Sequence, residues 1–305
     1  MAQTTLSTKV APAREADFRS MLAEVEFDFS DAAHAFWRGR GPGCIATFYR
    51  SGKLVLQGAQ SYTVAALLDV DVPEPETPGD AYEKALALHP DPKPALWVGS
   101  DEVGKGDYFG PLIVVAARVR RDRVALLAEL GATDSKKLTD KRIPALARDL
   151  RQAVDFEIVA VGPETYNRMY RETPNLNRLL AWAHATAIRT LLEKAPADYV
   201  LTDQFANPLL IERRLKDLPD SVRLDQRTKA ESDPAVATAS IIARAEFLHR
   251  MDKLSDKAGM VLPKGAGSPV LAAAKRLVAA RGPEVLERFA KIHFKTTEQV
   301  LGGLL

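Results

Sequence analysis

The chain has 305 residues, 46% apolar and 27% charged, and its 42 basic and 40 acidic side chains leave a formal charge of +2. That balance supports a real core in one large or two ordinary domains and excludes a disordered chain. A single cysteine, Cys44, excludes an intrachain disulfide and a cysteine-rich zinc site, and no apolar run reaches the ~18–20 residues of a membrane span, so a reducing, cytoplasmic setting away from membranes is expected.

Residues 1–70 read as a small α+β domain. Phe18, Met21, Leu22 and Val25 share one stripe, which predicts a helix over 16–25. Gly39-Arg40-Gly41-Pro42-Gly43 reads as a turn cluster, and two alternating runs, 44–49 and 53–57, meet at Ser51-Gly52 like a hairpin. A closing helix is expected from Thr63. Over residues 71–94 the prolines Pro73, Pro75, Pro78, Pro90, Pro92 and Pro94 crowd among acids, which predicts a linker with room for one or two helical turns near Tyr82.

Residues 95–305 alternate between strand and helix patterns. Strands are predicted at 96–100, 112–119, 156–161, 199–203 and 222–225, and helices at 122–129, 140–154, 175–194, 235–257 and 270–280. Such alternation predicts a central sheet covered by helices. The charge is divided: residues 1–95 net −4 and the remainder +6, so the larger domain tolerates a polyanionic partner. Its most basic stretch, Lys264 to Lys295, carries 7 basic against 2 acidic residues and is a candidate for holding a nucleic-acid backbone.

The chemistry is expected around Asp101 and Glu102. These adjacent carboxylates end an apolar strand and run into Gly104-Lys105-Gly106, a turn whose glycines let backbone N–H groups approach a ligand closely. Alternation along a strand sends the two acids to opposite faces unless the strand ends or bulges there. Asp203 ends a second strand, and acids that terminate two strands of one sheet can converge where α/β sheets bind ligands. Glu231 precedes an apolar helix and supplies a fourth carboxylate, with Asp233 two residues on as the alternative. Acids gathered without matching cations repel one another unless divalent ions lie between them, and oxygen-only donors suit Mg2+ or Mn2+.

The same residues carry a family resemblance. Residues 99–112, GSDEVGKGDYFGPL, resemble the signature of bacterial ribonuclease HIII, in the type 2 ribonuclease H group. Further blocks of that family follow in order: TDSKKL at 133–138, DQFA at 203–206, KAES at 229–232, ASIIAR at 239–244, LPKGAG at 262–267 and HFK at 293–295. The resemblance implies a ribonuclease H fold, a mixed sheet flanked by helices, and cutting of the RNA strand in RNA/DNA hybrids by a monomeric enzyme. It implies that Asp101, Glu102, Asp203 and Glu231 are the catalytic acids and the ligands of two Mg2+ or Mn2+ ions.

The backbone of Gly104, Lys105 and Gly106 is then the candidate reader of the RNA 2′-hydroxyl, and Ser135, Lys136 and Lys137 are candidate phosphate contacts. More weakly, residues 48–58 resemble part of the family's extra N-terminal domain, a fold likened to the TATA-box-binding protein, which makes Tyr49, Arg50 and Lys53 candidate substrate contacts. Two competing readings remain: a ribonuclease HII-like enzyme that cuts at single ribonucleotides in DNA, and an inactive hybrid-binding protein. His184 and His249 read as satisfied core or boundary residues, and His293 stands outside the acid set.

Overall fold

In a computed structural model, which describes residues 5–72, 78–133, 135–219 and 221–302, the chain divides into two units, Met1–Glu76 and Thr77–Leu305. The first unit runs β1 (Thr5–Lys9), α1 (Glu15–Ala23), β2 (Asp28–Ser30), β3 (Ala35–Gly41), β4 (Cys44–Tyr49), β5 (Lys53–Gln57) and α2 (Ser61–Leu67). Its strands pair antiparallel in the order β1-β5-β4-β3-β2. Phe18 and Leu22 of α1 pack with Trp37, Phe48, Leu54 and Leu56 of the sheet, with the Phe18 and Phe48 ring centroids 5.6 Å apart.

The predicted hairpin strands fall at β4 and β5, but the glycine cluster at 39–43 is a turn only at its end. Gly39 and Gly41 belong to β3, where a side chain on Gly41 would stand 2.2 Å from the Phe27 ring. Those glycines therefore make room for an aromatic ring inside a strand.

The second unit opens with α3 (Pro78–Ala87), inside the stretch expected to be a linker, of which residues 73–77 lie outside the described residues. The buried Tyr82 donates its hydroxyl to the Ala132 carbonyl at 2.8 Å, and buried His89 lies 2.6 Å from Asp233. Residues 78–94 are thus part of the second unit's core packing, because Tyr82 and His89 supply buried groups that prolines and acids nearby do not reveal.

Then follow β6 (Leu96–Val103), β7 (Leu112–Arg120), α4 (Val124–Leu130), α5 (Ile143–Ala153), β8 (Asp155–Val161), α6 (Pro163–Glu172), α7 (Leu176–Lys194), β9 (Tyr199–Asp203) and α8 (Leu209–Glu212). The unit closes with β10 (Arg223–Arg227), α9 (Pro234–Ala258), α10 (Ser268–Arg281), α11 (Leu286–Phe289) and α12 (Lys295–Leu301). The sheet order is β10-β9-β6-β7-β8. Strands β6, β9 and β10 are parallel, and β7 runs antiparallel to both β6 and β8.

Helices cover both faces. Trp97, Ile113, Val115, Tyr199 and Leu201 face α9, while Val98, Ala116 and Val200 face Ala185, Ile188 and Leu191 of α7. Among the described residues no helix is long and apolar enough to cross a membrane.

Candidate active site

Strand β6 does not stop at Ser100. It pairs with β7 without a bulge through Asp101↔Val115, Glu102↔Val114 and Val103↔Ile113, so alternation holds and the two acids leave opposite faces of the sheet. Asp101 meets α9, where the Ser240 hydroxyl hydrogen-bonds it, and Glu102 meets α7, where His184 Nε2 lies 3.3 Å from its Oε2. Both acids border one cavity of about 380 Å³ together with Lys105, Ser135, Lys136, Asp203, Ser240 and Arg244. Asp203 reaches it from the end of β9, the parallel neighbour of β6.

The close fit of α9 is set by Gly99. A Cβ there would lie 2.3 Å from the Val236 nitrogen, so only glycine lets the first turn of α9 rest on β6 and bring Ser240 to Asp101. Asp233 caps that turn. Its Oδ1 accepts from the backbone N–H of Ala235 at 2.8 Å and Val236 at 3.3 Å, and from Trp97 Nε1 at 3.0 Å.

Asp233 is buried beneath the helix and turned inward. Glu231, in a 3₁₀ turn over Ala230–Ser232, lies 3.7 Å from Lys136 Nζ, and its charge is felt by Asp203.

The electrostatics show a site short of positive charge. Burial and then the charge of Glu102 push the Asp101 carboxyl up. Burial, opposed by the Ala230 N–H, and the charges of Glu231 and Glu102 raise Asp203 as well. Burial alone would raise Glu102, but the His184 hydrogen bond and the Lys105 ammonium, 2.6 Å from Oε1, outweigh it and hold that carboxyl low. Among the described residues no three His, Cys, Asp or Glu side chains form a closed metal cage as they stand; instead Glu102 leans on Lys105 and Glu231 on Lys136. The donor chemistry, carboxylate oxygens that raise one another's proton affinity, nonetheless fits a hard divalent cation.

Lys105, one of the expected substrate contacts, is paired with Glu102 in this geometry. Gly104 takes φ +93°, and a Cβ on it would meet the Pro111 carbonyl at 2.2 Å, whereas Gly106 is open with nothing within 4 Å. Ser135 is buried and shares a 2.8 Å hydrogen bond with Ser240, and its carbonyl accepts from Arg244. Lys136 is exposed at the cavity rim, and the side chain of Lys137 lies outside the described residues.

In the first unit, Tyr49 is half-buried, Lys53 is exposed on β5, and the Arg50 guanidinium lies 5.2 Å from the Phe36 ring centroid.

The basic stretch 264–295 is less free than its charge count suggests. Lys264 pairs with Asp140, Arg281 donates to the Lys257 and Ala258 carbonyls ending α9, and Lys291 is fully buried. The Lys291 ammonium donates to the Asp107 carbonyl at 2.7 Å and the Gly110 carbonyl at 2.8 Å, pinning the turn that follows Gly106. Sequence reasoning gave no role to Ser240, Arg244 or Lys291 and left His184 as a core residue. Their signal is a polar side chain inside an apolar pattern, which does not name its distant partner.

A family model described as Ribonuclease HII matches residues 98–297. Ribonuclease HIII of Protochlamydia amoebophila (strain UWE25) is 37% identical over 302 residues, covering 98% of this chain and 96% of the relative. The Bacillus anthracis Ribonuclease HIII is 41% identical over 269 residues, covering 85% and 86%. Among solved structures, Bst-RNase HIII in complex with Mn2+ is similar with a TM-score of 0.65 and 32% identity over 98% of both chains. Aquifex aeolicus RNase H3 gives 0.54 and 27% identity over 94% of this chain and 99% of that one.

Proposed function

The chain belongs to the ribonuclease HIII family, a group of ribonuclease H enzymes, and from that premise we propose that it hydrolyses the RNA strand of RNA/DNA hybrids at the cavity between β6, β9 and α9. The observation that carries this reading is the convergence of Asp101, Glu102 and Asp203 on one cavity, with Ser135 and Lys136 on its wall and Glu231 beside Lys136.

Asp101, Glu102, Asp203 and Glu231 would hold two Mg2+ or Mn2+ ions, a reading supported by the raised proton affinity of Asp101 and Asp203 and by the Mn2+ complex of the Bst relative. Such ions, if bound there, would supply the acidity for an attacking water and charge for the departing 3′ oxygen, and the products would carry 5′-phosphate and 3′-hydroxyl ends.

The chain's own residues do the positioning. Lys136, exposed beside Glu231, draws in the phosphate next to the cut, and buried Ser135 fixes the turn that presents it. The open backbone at Gly106 reads the 2′-hydroxyl, the handle that distinguishes RNA from DNA. Lys105 releases Glu102 when positive charge enters the cavity. Tyr49, Arg50 and Lys53 of the first unit add substrate contacts through a local face, since the first 95 residues are net negative.

The test is incubation of the protein and an Asp203→Asn variant with a uniform RNA/DNA hybrid, a DNA duplex holding one ribonucleotide, and double-stranded RNA, each with Mg2+ or Mn2+. Cutting of the hybrid, lost in the variant, is expected. Efficient incision at the single ribonucleotide would favour a ribonuclease HII-like specificity, and hybrid binding without cutting would overturn the enzymatic reading.

A further inference from the structure

Strand alternation places Ser100 and Glu102 side by side on the face of β6 that meets α7. Between them and the helix stands His184, which has no exposed surface. Its Nδ1 shares a 2.9 Å hydrogen bond with Ser100 Oγ, and its Nε2 lies 3.3 Å from Glu102 Oε2. The ring is stacked on Phe205 with centroids 4.8 Å apart and planes inclined by 15°, so it has little freedom to rotate. Glu102 is therefore gripped at both oxygens: Oε1 by Lys105 from the turn, and Oε2 by the imidazole from the core.

The two grips differ in kind. Lys105 is a long side chain, half exposed, and its ammonium can leave. His184 is fixed on three sides. Ser100 at Nδ1 fixes which way the ring faces, so that Nε2 is directed at the carboxylate, the arrangement in which a buried partner sets the orientation of a ligating group.

We propose that His184, backed by Ser100, is a positioning residue that holds the Glu102 carboxylate in the orientation needed to receive a divalent cation. The proposal rests on the reading of Glu102 as a metal ligand. It makes the α7 face of the sheet part of the active site's machinery although no α7 side chain lines the cavity.

The experiment compares Mn2+ binding by calorimetry, without substrate, for the intact protein and for His184→Phe, His184→Gln, His184→Asn and Glu102→Gln, with melting temperature and hybrid cleavage alongside. Phe keeps the ring and the Phe205 stack but loses both hydrogen bonds. Gln places an amide near the Nε2 position, and Asn reaches only the Nδ1 position.

Binding by the Phe and Asn variants is expected to weaken about 10- to 100-fold, with Gln recovering most of it. In cleavage assays the loss is expected in kcat at limiting metal and to be recovered at high metal, with the KM for hybrid little changed.

Equal Mn2+ binding by Asn and Gln variants, or wild-type binding by a folded His184→Phe, would overturn the proposal; if Phe does not fold, the Asn and Gln pair decides. If Glu102→Gln itself binds Mn2+ normally, the ligand assignment fails and the proposal falls with it. Weakened binding by Glu102→Gln alone would sink only the role of His184.

Discussion

Lys291 offers a prediction whose sign and size both follow from its surroundings. Its ammonium is buried without a carboxylate partner, held by two carbonyls and lying 5.8 Å from the Tyr166 ring centroid. Burial pushes it down from 10.5 to about 7, against a weaker upward pull from Asp107. Between those two values the unfolded chain binds more protons than the folded one, so stability rises with pH across the window. The cost of burying the charge is fully present below about 7 and gone above about 10.5.

At about 1.4 kcal/mol per pH step the whole gap caps the effect at about 5 kcal/mol, and between pH 7 and 9 about 2 kcal/mol should appear. Lys291→Met keeps the volume but leaves the Asp107 and Gly110 carbonyls without a donor, a penalty of about 1–3 kcal/mol each that does not depend on pH. Urea unfolding of both proteins at pH 6 to 10 isolates the effect, because other groups cancel in the difference. Wild type should gain on the variant by about 2 kcal/mol from pH 7 to 9. A flat or falling difference would mean that the buried ammonium keeps its ordinary proton affinity, and the argument from burial would fail.

Other outcomes follow from the packing. Gly99→Ala drives a methyl into the backbone of α9, and should cost about 1–3 kcal/mol by thermal melting while lowering kcat through displaced Ser240. Glu231→Gln should abolish cleavage at unchanged melting temperature, whereas Asp233→Ala should cost about 3 kcal/mol because a cap, the Trp97 partner and the His89 partner are lost together. The reverse pattern would return the fourth ligand role to Asp233. Tyr82→Phe should cost about 1 kcal/mol in urea unfolding of the second unit, and no cost would mean that α3 is not anchored through that hydroxyl.

Much of the architecture was legible because strands carry a short-range signature. Strands β4, β5 and β9 occupy the predicted spans, and Asn175 caps α7 by accepting from the Arg178 N–H at 3.1 Å. The convergence of Asp101, Glu102 and Asp203 on one cavity was legible too, since acids that end neighbouring strands of one sheet can meet at its edge. Whether β6 ends, bulges or runs on at them was not: pairing with Val114 and Val115 carries the strand regularly through both acids, and so takes the branch in which they leave opposite faces. The glycines of β3 read as a turn because the ring they accommodate, Phe27, is supplied by tertiary packing. The partners of His184, His89 and Lys291 are likewise chosen by the fold, since a buried polar side chain advertises a need for a partner and not its address.

The bond between His89 and Asp233 also orders events in time, because the two residues are 144 positions apart along the chain. At ~5–20 residues per second a ribosome needs roughly 7–30 s to travel between them. The strands of the first unit lie within residues 5–57 and emerge early, so that sheet can close while the rest is still being made. For the second unit the start of β6 must wait, with Trp97 uncovered and its parallel edge open until β9 is added. A nascent chain halted before β9 thus carries an unpaired strand edge and an exposed indole, the combination that invites association with a neighbour. Synthesis that stalls in this interval leaves a product whose hazard lies in its solubility, long before any question of catalysis arises.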